Sequence, residues 1–533
     1  MPQKKTLQVF GSCSKTEEQL LIHFADRESE WFNDVTGGWS LAYTDEERIV
    51  LATDRWGTRP LFYAVNNQTG LFSENIDDIM KRLPVLTCNE QALARFLLED
   101  FSHPEETVFN EINKVPQGFV ITIEKNQIQS LQWARQTWTV KQNDFNHAVG
   151  EWNRALTQHL TALLPQHKKW GLVVSGGLDS AGLVALSVHL IRQHQWPVSL
   201  ELYNLTSPDP ESSDQGFCQK MAQEYKIPLH QICVTPEDLE KLHCQWHAAK
   251  TGLPYFATLQ MFEPLMALAK QNQCTGLLFG YGADEQWTLP SETLAIDFLT
   301  QTNWSLLLKN KDSSESFKTY VLSLLKLWAR LKVPESLKSA IHRWSSSGIP
   351  WHLHNRVIFK EQRKQLKKRI QAVENNFVSQ SQKQLYLRNF ISGNNQHNLA
   401  CHITMAQAHG LKVYFPYLSP ELLDISLASS PELLFLAKDK RVLRELLKGL
   451  LLEEIRTAPK FQDYSQLAHK TALQLAQPTT KFILLQQWIR LNIELIKFDN
   501  DCYFEILYVE KLMKEYGAGY EKDEKEAVSK TEA

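Results

Sequence analysis

The stretch GLVVSGGLDSAGLVALSVHL, Gly171–Leu190, holds the residues with the most to do chemically. An apolar run ends at Ser175, Gly176 and Gly177 turn the chain, and a helical pattern starts around Asp179-Ser180. Paired glycines let backbone N–H groups approach an anion closely, and a helix N-terminus adds a favourable dipole. Ser175 and Ser180 offer hydroxyls to phosphate oxygens. Asp179 would repel a bare phosphate and becomes useful where Mg²⁺ bridges the two. A strand–turn–helix with an Asp or Ser cap accounts for a lone pair of glycines. The whole Ser-Gly-Gly-x-Asp-Ser string at a strand–helix junction predicts a phosphate loop instead.

SGGLDS resembles the pyrophosphate loop of the N-type ATP pyrophosphatases, a group that includes asparagine, GMP and NAD synthetases, argininosuccinate synthetase and tRNA-modifying enzymes. A Walker A loop lacks this Asp and uses a Lys. The resemblance implies ATP and Mg²⁺ as cofactors and adenylation rather than γ-phosphate transfer. Further on, LLFGYGADEQW (Leu277–Trp287) looks like the second metal-binding motif of the asparagine synthetase family. On that resemblance Gly280 and Gly282 join Ser175, Gly176, Gly177, Asp179 and Ser180 around ATP and pyrophosphate. Asp284 joins Asp179 as the metal pair, at the sheet edge where doubly wound folds place ligands.

Leu385–Leu434 is similar to the helical region of the same family, whose signature ends here as AHGLKVYFPYLS, residues 408–419. Lys412, Tyr414 and Ser419 stand where the signature carries Glu, Arg and Asp. In KRVLRELLKGLLLEEIRTAPKFQ, Lys440, Arg444 and Lys460 match the family's ending. The resemblance implies Lys440 as a nucleotide contact and Lys460 as a catalytic cation near the developing charge. Tyr386, Glu263 and His409 are alternative general bases, and Tyr386 is the catalytic candidate. The loop TSPDPESSD, Thr206–Asp214, resembles the segment near adenine and substrate.

Upstream, Asp54–Tyr63 (DRWGTRPLFY), Ser73-Glu74 and Lys114–Gly118 are similar to the class II glutaminase domain of these synthetases, an Ntn-type α+β fold. Glutaminases of this type use an N-terminal Cys whose own α-amine is the base. Position 2 is Pro, and Cys13 is internal. The expectation is a shortened domain unable to hydrolyse glutamine. Family members in that condition, such as β-lactam synthetases, carbapenam synthetases and lasso peptide cyclases, use free ammonia or the substrate's own amine. The function implied is an AMP-forming amide ligase, closing a macrolactam in a lasso-type precursor peptide. Asparagine synthesis from aspartate, or non-catalytic ATP binding, are the alternatives. Expected partners are a small-molecule or peptide carboxylate and, for the cyclase, a precursor peptide and a protease.

These groups need a scaffold, and the patterning predicts one. Runs at Leu7–Phe10, Trp39–Tyr43, Ile49–Ala52, Leu61–Ala64 and Phe119–Ile123 read as strands separated by turns. From Phe145 onward, strands at Gly171–Val174, Val198–Asn204, His230–Val234 and Gly276–Phe279 alternate with helices. The helices are His147–Leu164, Ala181–His194 and Gly216–Tyr225. That alternation predicts an α/β fold with a parallel sheet, of the adenine nucleotide alpha hydrolase kind. After Trp287 the pattern is almost entirely helical to about Tyr516. The expected domains are 1–140 (glutaminase-like), 141–470 (ATP pyrophosphatase), 471–516 (helices) and 517–533 (disordered tail).

Composition narrows the class. Lys and Arg number 57 against 60 Asp and Glu, a balance that gives no broad electrostatic footprint for nucleic acid or anionic membrane. No apolar run reaches the roughly 18–20 residues of a membrane span. The eight cysteines lack CxxC or CxxH spacing, against a zinc site or a disulfide framework, and the N-terminus lacks a signal-peptide pattern. A cytoplasmic enzyme is expected.

Overall fold

The computed structural model describes residues 5–25, 30–66, 69–97, 103–125, 127–134, 138–141, 144–206, 215–235, 257–288, 394–435 and 440–458. It also describes parts of 237–242, 295–325 and 381–387. The predicted Lys460, the loop after Thr206, the C-terminal helices and the tail lie outside these residues.

The N-terminal part runs β1 (Thr6–Gly11), α1 (Glu17–Ala25), β2 (Trp39–Thr44), β3 (Arg48–Thr53), β4 (Phe62–Asn66), β5 (Thr69–Ser73), α2 (Ile76–Met80), α3 (Glu90–Leu97), β6 (Asn113–Lys114), β7 (Phe119–Glu124) and β8 (Gln127–Gln132). One antiparallel sheet has the order β1-β2-β3-β7-β8, and a smaller one the order β5-β4-β6. Every strand predicted in this region is present. Strand β8 was not predicted, because all six residues of QIQSLQ are exposed and a strand without a buried face carries no apolar period. Leu51, Ile121 and Ile123 of the larger sheet pack with Tyr63 of the smaller one and with Leu61 just before it. Its other face is covered by Phe24, Trp31, Phe32 and Trp133.

The second part begins with α4 (Phe145–Leu163), β9 (Lys169–Val174), α5 (Leu178–His194), β10 (Ser199–Thr206), α6 (Gln215–Tyr225) and β11 (Leu229–Cys233). It continues through α7 (Glu263–Gln271), β12 (Gly276–Leu278), α8 (Ala283–Trp287), α9 (Asn394–Ala408), β13 (Lys412–Tyr414), α10 (Pro420–Ala428) and α11 (Arg441–Leu446). The five strands form a parallel sheet in the order β11-β10-β9-β12-β13, which makes this an α/β fold as predicted. Strand β13 interrupts a region expected to be almost entirely helical after Trp287. Its three residues are too few to show a period in the sequence, and their pairing with Gly276–Leu278 exists only in three dimensions.

Side chains of the sheet alternate between two faces, as the pleat requires. Trp170, Leu172, Leu202 and Leu278 meet α4, α5 and α11 on one face. Tyr203, Leu205, Leu277 and Val413 meet α7 and α9 on the other. Burial on both faces explains why Leu172–Val174 reads as an uninterrupted apolar run. The order in which strands are added to the sheet reverses at β9: β10 and β11 lie on one side of it, β12 and β13 on the other. The carboxyl ends of β9 and β12 therefore flank a topological switch point, the usual ligand crevice of open α/β sheets.

The two parts share a core. Phe62, Leu71, Ile76 and Phe109 lie in the same apolar cluster as Tyr203, Leu277 and Ile403. Buried and half-buried polar contacts fix their alignment. Arg59 donates to the carbonyl of Val413 at 2.9 Å and pairs with Glu74 at 2.7 Å, and Gln407 donates to that same Glu74. Arg55 and the Trp138 indole both donate to Asp424 of α10, at 2.7 and 3.1 Å. Burial pushes the Asp424 carboxyl up to about 6, against the opposing pull of Arg55. Among the described residues, no helix is long and apolar enough to cross a membrane.

Because Arg59 and Glu74 are both largely buried, removing one partner strands the other charge. Arg59→Met should cost about 3 kcal/mol in urea unfolding.

Candidate active site

Strand β9 delivers the phosphate loop. Its last residue, Val174, is held through its carbonyl by the buried Asn204 amide at 2.8 Å. Gly176 then takes φ +80°, a conformation that side-chain-bearing residues avoid, and Gly177 caps α5. Ser175 and Ser180 face each other across the turn. The backbone N–H of Ser175 donates to Ser180 Oγ at 3.2 Å, and that of Gly177 donates to Ser175 Oγ at 3.3 Å. Ser180 Oγ in turn donates to the Gly177 carbonyl at 3.2 Å. Asp179 stands in the first turn of α5, and the first N–H groups of any helix lack intrahelical acceptors.

The second loop follows β12 and crosses the first. A Cβ on Gly280 would lie 3.0 Å from the Ser180 backbone nitrogen and 3.3 Å from the Asp179 carbonyl carbon. Glycine is what lets the two loops touch. Gly282, at φ +100°, starts α8, where a side chain would collide with Leu418. Asp284 lies in the first turn of α8.

Lys440 closes the arrangement. Its Nζ reaches both oxygens of Asp179, at 2.6 and 2.5 Å, and Asp284 Oδ1 at 2.8 Å. The three side chains come from α8, the start of α5 and the residue before α11. The two carboxylates raise the Lys440 ammonium pKa above its ordinary value, outweighing burial, which acts first and lowers it. Glu285 is adjacent. Burial lifts its carboxyl to about 7, and Asp284 and Asp179 push in the same direction.

The surrounding wall contains residues that spacing did not flag. Tyr417, which is fully buried, donates to the Asp179 carbonyl at 2.9 Å. Gln286, also fully buried, donates to the carbonyls of Gly282 and Tyr417, while its Oε1 accepts from Ser426 at 2.7 Å. Trp152 completes this chain by donating to Ser426 Oγ at 3.1 Å. Tyr281 accepts from the Asn398 amide at 3.0 Å, and burial raises its phenol pKa beyond the ordinary range. The position of Tyr281 between the two loop glycines was the one sequence signal available for it.

Of the predicted residues, the loops and Lys440 converge. Tyr386 joins them: burial raises its phenol pKa first, and Glu285 and Asp284 lie close enough to add to the shift. Glu263 and His409 pair with each other at 2.9 Å instead. His409 precedes β13 and so sits at the amino end of the sheet, opposite Asp179 and Asp284. Lys412 and Tyr414 also point elsewhere. Lys412 is exposed, and Tyr414 bonds His167 Nε2 at 3.1 Å. Arg444 serves the scaffold, donating to the carbonyls of Arg456 and Ala458 and so fixing the segment that leads towards Lys460. Cys13 lies apart, with Sγ 3.4 Å from the Lys15 backbone and a thiol pKa that burial pushes up, the opposite of a poised nucleophile.

The donor set suits Mg²⁺. Among the described residues no three His, Cys, Asp or Glu converge as a cage. Mg²⁺ commonly takes one or two carboxylates, completing its shell with phosphates and water. Asp179 and Asp284 supply two that already close on a single cation.

Two outcomes are expected. Gly280→Ala should push the loops apart by a few tenths of an ångström and weaken ATP binding roughly tenfold by calorimetry, with little change in melting temperature. The second concerns Lys383, three residues before Tyr386 and fully buried, whose Nζ donates to the Ser429 carbonyl at 2.8 Å. Burial lowers its ammonium pKa to about 7 from 10.5. Between those values the unfolded chain holds the extra proton. Wild-type protein should therefore gain stability relative to Lys383→Met as pH rises from about 7 to about 10 in denaturant titrations, and lose it on return.

The sequence profile described as "Asparagine synthase" matches residues 151–531, and that of the "Glutamine amidotransferase domain" matches residues 3–134. Asparagine synthetase [glutamine-hydrolyzing] 3 of Bacillus subtilis (strain 168) is 22% identical over 248 residues, covering 43% of this chain and 39% of that protein. Asparagine synthetase [glutamine-hydrolyzing] 2 of the same strain is 22% identical over 231 residues, or 40% and 30% of the two chains. The match thus spans well under half the length of these curated relatives. Among solved structures, an NMN synthetase from Francisella tularensis is 13% identical with a TM-score of 0.21, covering 48% of this chain and 96% of its own. At that distance it carries no argument. The profile match across most of the chain, together with the two loops converging at the carboxyl edge of a parallel sheet, makes this protein a member of the asparagine synthase family.

Proposed function

We propose that this protein is an ATP-dependent, AMP-forming amide ligase. The observation that carries the reading is the closure of Asp179 and Asp284, from two separate loops, on one cation beside the N-terminus of α5. Release of pyrophosphate rather than transfer of the γ-phosphate is what the resemblance of SGGLDS to the pyrophosphate loop and the asparagine synthase match imply. A carboxylate oxygen of the substrate attacks the α-phosphorus, and the bond to the β-phosphate oxygen breaks. An amine then attacks the acyl carbon of the adenylate, and AMP leaves as the C–N bond forms.

The chain's residues divide this work. Ser175, Gly176, Gly177 and Ser180 present hydroxyl and N–H donors to the pyrophosphate, while Gly280 and Gly282 allow the second loop to approach it. Mg²⁺, held by Asp179 and Asp284, would supply charge neutralisation for the departing phosphates. Lys440 and Lys460 are the cations for phosphate and for the charge developing at the acyl centre. Tyr386 and Tyr281, kept protonated by burial, act as hydrogen-bond donors. Glu285, with its carboxyl near 7, suits acceptance of the amine proton.

For the substrate we propose a peptide whose side-chain carboxylate is adenylated and whose own N-terminal amine closes a macrolactam, as in lasso-type cyclases. A precursor peptide and a protease would be its partners. Asparagine formation from aspartate and ammonia or glutamine is the second reading, favoured by the glutamine amidotransferase match over residues 3–134.

The class is tested by incubating the protein with ATP, Mg²⁺ and either aspartate plus ammonium or a peptide bearing a free N-terminus and an internal Asp or Glu. AMP and pyrophosphate should form, with ¹⁸O passing from carboxylate to AMP, and Asp179→Asn or Asp284→Asn should lower the rate by roughly a hundredfold or more. ADP and phosphate as products would overturn the AMP-forming assignment. Asparagine from the first mixture would replace the macrolactam reading.

A further inference from the structure

Lys440 occupies an unusual position for a nucleotide-binding lysine. Its ammonium is spent on carboxylates: three contacts of 2.5–2.8 Å tie it to Asp179 and Asp284. The side chain is 6% exposed, whereas Asp284 is 40% exposed, so the cluster opens to solvent on the Asp284 side. The backbone is also committed. Lys440 adopts φ +60° and ψ +40°, a left-handed conformation that costs a β-carbon-bearing residue free energy and persists where something over-determines it. Here the Arg444 N–H bonds the Lys440 carbonyl at 2.9 Å, starting α11, while Nζ is held between the two acids.

An ammonium and a divalent cation cannot share that gap. At such distances two positive charges repel strongly in a partly desolvated site. A cation arriving alone would have to displace the ammonium from both carboxylates, giving up its three contacts with them. A triphosphate arriving with the cation changes the balance, because its oxygens offer the lysine a new acceptor within reach of a flexible side chain.

We propose that Lys440 is an exchangeable cation. It fills the metal position between Asp179 and Asp284 until nucleotide is present, then passes from the carboxylates to a phosphate oxygen as the metal takes them. Divalent cation and nucleotide are thereby coupled: each binds weakly alone and tightly with the other. This rests on the reading of Asp179 and Asp284 as the metal–nucleotide site. The reciprocity follows from linkage, since a ligand that removes the lysine for one favours the other equally.

Mn²⁺ is the probe, titrated by the loss of its free-ion paramagnetic resonance signal, with and without α,β-methylene-ATP. Wild-type protein should bind Mn²⁺ weakly alone, and the analogue should tighten it at least about tenfold. In Lys440→Met and Lys440→Gln, Mn²⁺ alone should bind at least about tenfold tighter than in wild type, and the gain from the analogue should shrink. Mn²⁺ alone should also raise the melting temperature of both variants more than that of wild type, by relieving the repulsion between the two carboxylates. Folded variants with wild-type Mn²⁺ affinity, or wild-type protein that already binds Mn²⁺ tightly without nucleotide, would overturn the exchange. If no protein binds the analogue with Mn²⁺, the nucleotide reading itself fails, while the metal-only comparison still judges the lysine.

Discussion

The ion cluster of Lys440, Asp179 and Asp284 is the constraint around which the site is arranged. Two carboxylates drawn onto one ammonium would repel without a cation between them. The cluster joins segments far apart in the chain, and each is braced elsewhere. Asp179 is steadied through its carbonyl by Tyr417. Asp284 rides on α8, which Gln286 anchors to the turn containing that same Tyr417. The charged groups therefore rest on buried, neutral hydrogen bonds, which fix geometry without adding charge.

A second layer of support comes from the N-terminal part. Trp56 shares an apolar cluster with Leu418, Leu423 and Leu427, against which Tyr281 and Tyr386 pack. The carbonyl of Trp56 accepts from Gln396 of α9, whose neighbour Asn398 holds Tyr281. The Arg59–Glu74 pair fastens β13, the edge of the parallel sheet, through the Val413 carbonyl. The glutaminase-like part is thus built into the wall behind the candidate site. It would be under structural constraint whatever became of glutamine hydrolysis, and its Asp54–Tyr63 motif supplies several of these contacts.

How legible was this in the sequence? The phosphate loop was, because a strand ending in Ser-Gly-Gly before a helix is dictated by local conformation: only glycine enters the turn at positive φ, and an apolar run on either side fixes strand and helix. Asp284 and Lys440 were legible through motif resemblance, although nothing in their spacing said that one would bind the other. Glu263 and His409 looked equivalent to Tyr386 as proton acceptors. Distance along the chain carries no information about which edge of a parallel sheet a loop reaches, and both fell at the amino edge.

The sequence by itself determined the alternation of strands and helices, the loops able to approach phosphate, and membership of a family. These are local or motif properties, set by conformational preference and by residue type. Tertiary structure alone decided that β13 is a strand, that Lys412 and Tyr414 turn away from the site, and that Tyr417, Gln286 and Tyr281 turn towards it. Those outcomes depend on which distant segments pack together, and burial, hydrogen-bond partners and charge neighbours are defined only once they do. Lys440 shows the difference most plainly: the chain supplies a lysine, and the fold decides that its charge rests between two carboxylates.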